Sequence, residues 1–135
     1  MKTFLLLFSL SSTILFFTVQ KNKPLKESIA DGEMIYNDFC LQCHLPNGKG
    51  VEGAFPALAQ ADFLFKNIDR SIASLKYGTQ EPIIINGIEY NGLMVDQGLE
   101  DQEVADVMNY ILNSWGNSHP HMITFERVQS IKPND

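Results

Sequence analysis

The sequence predicts an all-α domain of three to five short helices, interrupted by one short β-hairpin. Three observations predict it. Val104, Val107, Met108, Ile111, Leu112 and Trp115 recur at spacings of three and four, the strongest amphipathic helix in the chain, over residues 101–115. The β-branched run Ile83-Ile84-Ile85 is followed by Asn86-Gly87 and then Ile88-Glu89-Tyr90, the pattern of a tight two-residue hairpin. Cys40-Leu41-Gln42-Cys43-His44 spells C-x-x-C-H and contains both cysteines of the chain. That spacing is the attachment site of a c-type haem, so the helices are expected to gather around one covalently bound haem.

The elements follow in chain order. Residues 1–20 carry Lys2 and then an apolar stretch from Phe4 to Val19, sixteen residues of which five are Ser or Thr. As a helix this spans ~24 Å, short of the ~30 Å hydrocarbon core. A secretory signal peptide is the first reading, and an uncleaved N-terminal membrane anchor the second, because no small-x-small cleavage pair surrounds Thr18, Val19 and Gln20. Residues 21–30 read as a polar linker. A helix is expected from Asp31 as its N-cap, with Gly32, Ile35, Tyr36 and Phe39 on one face, running directly into Cys40.

A Gly- and Pro-rich loop covers residues 45–58, and short helical segments follow at 61–65 and 69–77, the second closed by Gly78. After the hairpin and a loop through Met94, the helix from Asp101 is expected to run to Trp115 and stop at Gly116, with Glu100 in the cap position. The domain proper thus spans 31–116, and residues 117–135 form a C-terminal extension with one short helix around 124–130.

The chemistry of the motif comes from its spacing. With Cys40 at the start of a last helical turn, Cys43 lies three residues on, on the same face, and His44 follows at once. Each sulfur can add to a haem vinyl group while the imidazole reaches the iron. A redox C-x-x-C beside a βαβ unit lacks that unit here, a structural zinc site lacks a second ligand pair, and a disulfide leaves His44 without a role.

The second axial position decides what the iron does. Met34 precedes Cys40 by six residues on the same helix and cannot cross the haem. Met108 falls on the core face of the last helix, and Met122 would need the tail to fold back. Met94, in the loop between hairpin and last helix, is the sulfur placed to close the iron, with His119 and His121 as rivals in the tail.

Ten basic against sixteen acidic residues give a formal charge of −6, which argues against nucleic acid as a partner. Gly48, Gly50 and Gly53 also spell G-x-G-x-x-G, but no strand precedes them, so no nucleotide is expected and the glycines read as turns past the haem edge.

Taken together, the motif, the run Pro46 to Leu58, the segment Asn86 to Met94 and the stretch Val107 to Asn117 resemble the small single-haem class I cytochromes c of bacteria, over about residues 30–116. These segments are similar to cytochrome domains serving copper nitrite reductases, quinoprotein dehydrogenases and terminal oxidases. The resemblance implies that the Pro56 carbonyl accepts a hydrogen bond from the His44 ring and that Leu58 packs on the haem. Phe55 and Tyr90 are also expected in the pocket. The resemblance also implies that the first helix crosses the last, with Gly32 and Phe39 meeting Tyr110. Two departures stand out: Val95 follows Met94 where many relatives have Pro, so a more mobile loop and weaker ligation are expected, and Glu100 replaces the usual Ser or Thr cap.

The function that follows is a one-electron carrier, not an enzyme. It is exported, periplasmic or anchored at the outer face of the cytoplasmic membrane, and exchanges electrons with a reductase, oxidase or dehydrogenase. An apolar shell of Phe55, Leu58, Leu75 and Ile84 would limit solvent access to the haem. The alternative is an open-iron haem enzyme or gas sensor, for which the sequence offers no distal acid–base pair near Met94. A free shuttle and a fixed subunit of an oxidoreductase remain equally compatible with the sequence.

Overall fold

A computed structural model describes residues 23–133 of the 135-residue chain. The architecture is mostly helical: α1 (Leu25–Ile35) passes through a π-helical turn (Tyr36–Cys40) into α2 (Leu41–His44). Then come α3 (Asp62–Lys66), α4 (Ile68–Tyr77), the strands β1 (Ile83–Ile85) and β2 (Ile88–Tyr90), α5 (Asp101–Ile111) and α6 (Phe125–Ser130). The expected signal peptide or anchor at 1–20 lies outside the described residues. Among the described residues no helix is long and apolar enough to cross a membrane.

The frame is the crossing of α1 over α5. Gly32 sits where the two backbones meet, and a Cβ there would collide with the Asp106 carbonyl and lie 2.9 Å from Tyr110 Cβ. Beside this contact a buried polar cluster fastens three parts of the chain. Asp106, 3% exposed, accepts hydrogen bonds from Ser28 Oγ (2.6 Å), Lys23 Nζ (2.6 Å) and Gln102 Nε2 (3.0 Å). Asn109 donates to Ser28 Oγ (2.9 Å) and to the Ile123 carbonyl (2.8 Å), and its Oδ1 accepts from the Ile123 amide (2.8 Å). Buried polar groups are stable only when their partners are present, and here each side chain finds one.

That cluster corrects the expected linker. Residues 25–30 are helical, and Asp31 lies inside α1 instead of capping it. A short polar segment has little local reason to fold, but Lys23 and Ser28 gain partners on α5 that only the tertiary structure supplies.

The π turn corrects the expected apolar stripe. One extra residue per turn breaks the three-and-four spacing. Tyr36 and Cys40 are buried while Phe39 is half exposed. Tyr36, not Phe39, carries its ring against Tyr110, with centroids 5.4 Å apart, and also against Trp115 at 5.0 Å.

The hairpin forms where expected. Ile83 pairs with Tyr90 and Ile85 with Ile88 in antiparallel register. Asn86 and Gly87 both take positive φ (51° and 81°), the mirror-image turn that matches strand twist. The strand alternates, so Ile85 is buried and Ile84 is 64% exposed, which removes Ile84 from the expected shell.

The short helices also form, with Asn67 Oδ1 capping α4 at the Arg70 amide (3.1 Å) and Thr124 Oγ1 capping α6 at the Arg127 amide (3.3 Å). At the start of α5 the Glu103 carboxylate accepts from the Glu100 amide (2.8 Å), so the helix satisfies that end without Ser or Thr.

At its other end α5 stops at Ile111, one turn before the expected Trp115. Trp115 and Gly116 take positive φ (53° and 83°), and Asn117 Nδ2 donates to the Ile111 carbonyl (2.8 Å), satisfying an acceptor the helix end leaves open. The turn swings Trp115 onto Gly48, where its Nε1 donates to the Pro46 carbonyl (3.0 Å).

Candidate haem site

The end of the α1–α2 helical run delivers the motif to a cleft between α2, α3–α4, the hairpin and α5. Cys40 is 7% exposed, Cys43 half-buried and His44 8% exposed. Both cysteines are free thiols, leaving each sulfur available for a thioether. Burial, with the neighbouring Cys43 adding to it, pushes the Cys40 thiol up to about 11.

His44 is oriented by a loop that folds back under it. Its ring Nδ1 lies 2.9 Å from the Pro56 carbonyl. A carbonyl only accepts, so the proton sits on Nδ1 and the Nε2 lone pair is left for a metal. Burial lowers the His44 pKa from its ordinary value, and the Pro56 hydrogen bond partly opposes this.

The loop holds that carbonyl tightly. Val51 and Phe55 exchange two backbone hydrogen bonds (2.7 and 2.8 Å), the Gly50 amide donates to the His44 carbonyl (3.0 Å), and Leu58 and Ala59 both donate to Gly48. Gly50, at φ 60°, leaves no room for a side chain: a Cβ would meet the Phe55 carbonyl and come within 2.5 Å of the Pro56 carbonyl.

The cleft has two connected chambers. The inner one borders the core and the outer one opens toward solvent. Cys40, His44, Pro56, Thr79, Ile83 and Met94 line both. Leu58, Leu75, Ile85, Met108 and Ile111 line the inner chamber, and Phe39, Cys43, Phe55 and Tyr90 the outer. A flat, largely apolar macrocycle fits such a lining: apart from His44 and the two cysteines, its polar side chains among the described residues are Ser71, Ser74, Thr79, Tyr90 and Gln97, with no acid and no Arg or Lys.

The structure thus brings Cys40, Cys43, His44, Phe55, Pro56, Leu58, Tyr90 and Met94 to one cleft. Met94 occupies the loop after the hairpin, its backbone bridged to Thr79. Met34 is 60% exposed on α1, and Met122, His119 and His121 line neither chamber. The His119 ring instead lies 2.7 Å from the His121 carbonyl.

Sequence reasoning missed Met108 and Thr79 as cleft residues. The periodicity of α5 marked Met108 as core, and the cleft is continuous with that core. Thr79 follows a helix end, where nothing in the sequence signals contact with Met94.

Residues 29–115 match the family model for cytochrome c. Cytochrome c-552 of Thermus thermophilus is 40% identical over 109 residues, which cover 77% of this chain and 77% of that protein. The cytochrome c subunit of the quinone alcohol dehydrogenase of Gluconobacter oxydans is 27% identical over 110 residues, covering 75% of this chain and 22% of the subunit. The fructose dehydrogenase cytochrome subunit of Gluconobacter japonicus is 30% identical over 95 residues, 65% of this chain and 19% of that subunit. With the C-x-x-C-H segment entering an apolar cleft, these matches make the chain a member of the cytochrome c family, an electron-transfer protein with covalently attached haem c.

Proposed function

We propose that this cytochrome is an exported one-electron carrier in a respiratory or dehydrogenase chain, its single haem iron closed by His44 on one face and Met94 on the other. The observation that carries this reading is that His44 and Met94 line the same two chambers, alongside Cys40. Haem bound there supplies a reversible ferrous–ferric couple, and Met/His ligation raises its potential.

The chain's own residues do the rest. Cys40 and Cys43 hold the edge of the macrocycle through two thioethers. The Pro56 carbonyl fixes the His44 tautomer and strengthens it as a donor. Leu58, Leu75, Ile85, Met108 and Ile111 exclude water, which disfavours the more highly charged state of the iron and supports a raised potential.

Phe39 (49% exposed), Phe55 (42%), Leu93 (66%) and Val95 (57%) rim the outer chamber, and they leave an apolar lip where a redox partner approaches the haem edge. Brief contacts suit that surface on a protein of formal charge −6. The partner is a dehydrogenase, reductase or oxidase; the dehydrogenase cytochrome subunits among the relatives support that class.

An open-iron enzyme needs a distal acid or base to activate a bound ligand. Among the described residues the cleft lining supplies no carboxylate, Arg, Lys or second His, and His44 is engaged with the Pro56 carbonyl.

The test is spectroscopic. The ferric protein should show the far-red charge-transfer band of methionine sulfur on haem iron, and Met94→Ala should abolish it and let ferrous haem bind carbon monoxide. Ready carbon monoxide binding by the wild-type protein would overturn the closed-iron reading. Mass spectrometry of the exported protein reads both the haem adduct and whether residues 1–20 remain.

A further inference from the structure

We infer that Gly78 and Thr79 are the positioning residues for the Met94 sulfur, through the backbone bridge that joins Thr79 to Met94. The inference rests on Met94 being the axial ligand. Residues 91–99 form a largely exposed loop in which Leu93 and Val95, the neighbours of Met94, are 66% and 57% exposed. Across that loop only two backbone–backbone hydrogen bonds exist among the described residues: Thr79 N–H to the Met94 carbonyl (2.7 Å) and Met94 N–H to the Thr79 carbonyl (3.0 Å). Both fall on Met94 itself. The bridge therefore fixes the backbone that aims the sulfur.

Gly78 permits that bridge. It ends α4 at φ 78°, and a Cβ there would collide with the Met94 carbonyl and lie 3.1 Å from the Asp96 amide. The anchor behind it is firm. Ile72 and Leu75 bury α4 in the core. Lys76 Nζ bonds Asp101 (2.8 Å) and the Val128 carbonyl (2.9 Å), and Tyr77 Oη donates to the Ile131 carbonyl (2.9 Å). Through these contacts α5 and the C-terminal tail steady the residue that holds Met94. Residues held in sparsely populated backbone regions persist only where their surroundings over-determine them, as here.

Gly78→Ala should keep the helical circular dichroism and the haem Soret band but weaken the far-red band and speed carbon monoxide binding to the ferrous protein by roughly tenfold or more. Gly98→Ala is the control: Gly98 lies in the same loop at φ 69° with open space around it, so it adds strain without a collision. It should leave the band in place.

A folded Gly78→Ala protein with wild-type band and binding rate would overturn the inference, and so would an equal effect of Gly98→Ala. Hydrogen exchange on the wild-type ferric protein makes the test independent of any variant. The Thr79 and Met94 amides should open with the same free energy as loss of the band, and rapid exchange with the band intact would overturn the proposal. Absence of the band from the wild-type protein is a different result, because it removes Met94 as ligand and not its clamp.

Discussion

His44 and Met94 face one cleft, but the chain holds them by different means. His44 sits at the end of a continuous helical run, 8% exposed, over a loop in which Gly48, Gly50, Val51 and Phe55 are tied by short backbone hydrogen bonds. Tyr36 Oη reaches the Leu45 carbonyl (2.7 Å) and Trp115 the Pro46 carbonyl (3.0 Å), so the π turn and the turn after α5 brace the same loop. Met94 has one two-bond bridge, with exposed apolar neighbours on both sides. The difference teaches where adaptability lies: the histidine side shares the stability of the core, while the methionine side opens at a lower cost of its own.

The largest effect expected comes from breaking the histidine side. Gly50→Ala adds left-handed backbone strain and a collision with two carbonyls, one of which holds His44, and should cost about 3 kcal/mol or more in urea denaturation. Gly53→Ala, at φ 77° in open space, should cost only ~1 kcal/mol. Equal costs would mean that this loop is no tighter than any other surface turn.

A smaller effect tests the anchor of the methionine side. Lys76→Met removes the contacts to Asp101 and Val128 and should lower stability by about 1–2 kcal/mol. Burial alone would lower the Lys76 pKa, but its bonds to Asp101 outweigh this and raise it above 10.5. The contribution is therefore complete below about pH 10.5 and is lost as pH rises through the folded value. Denaturation at pH 8 and above pH 11 should show the wild type losing more stability than Lys76→Met. An equal loss would show that the lysine does not sense the fold.

The smallest effect sharpens the contrast from the other direction. The Val95 amide donates no hydrogen bond to the described residues, so Val95→Pro removes none, and restricting the unfolded chain should add about 0.4–1 kcal/mol. It should also slow alkaline loss of the far-red band. A faster loss would mean that the native backbone at Val95 is incompatible with proline.

Much of this was legible in the sequence where the signal is local. Cys40, Cys43 and His44 are contiguous, Asn86-Gly87 dictates its own turn, and α5 repeats an apolar pattern over three turns. What was not legible depends on distant partners. The helical state of residues 25–30 depends on Asp106 and Asn109, roughly eighty positions away. Three consecutive isoleucines carry no phase, so sequence alone could not tell that Ile84 faces water while its neighbours face the cleft. The early stop of α5 follows from Asn117 and the left-handed pair before it, and the Thr79 bridge follows from where α4 ends.

The π turn at Tyr36–Cys40 has a consequence for how this chain tolerates change. Upstream of it, the helix is in register with α5 through Gly32 and Tyr36; downstream, the same rod presents Cys40 and His44 to the cleft. The inserted residue works as a phase shifter between two interfaces that would otherwise share one angular setting. Losing a single position such as Asn37 would leave every contacting side chain present and rotate one interface against the other by ~100°. Length conservation across these five residues is thus a stronger constraint than the identity of any exposed residue among them.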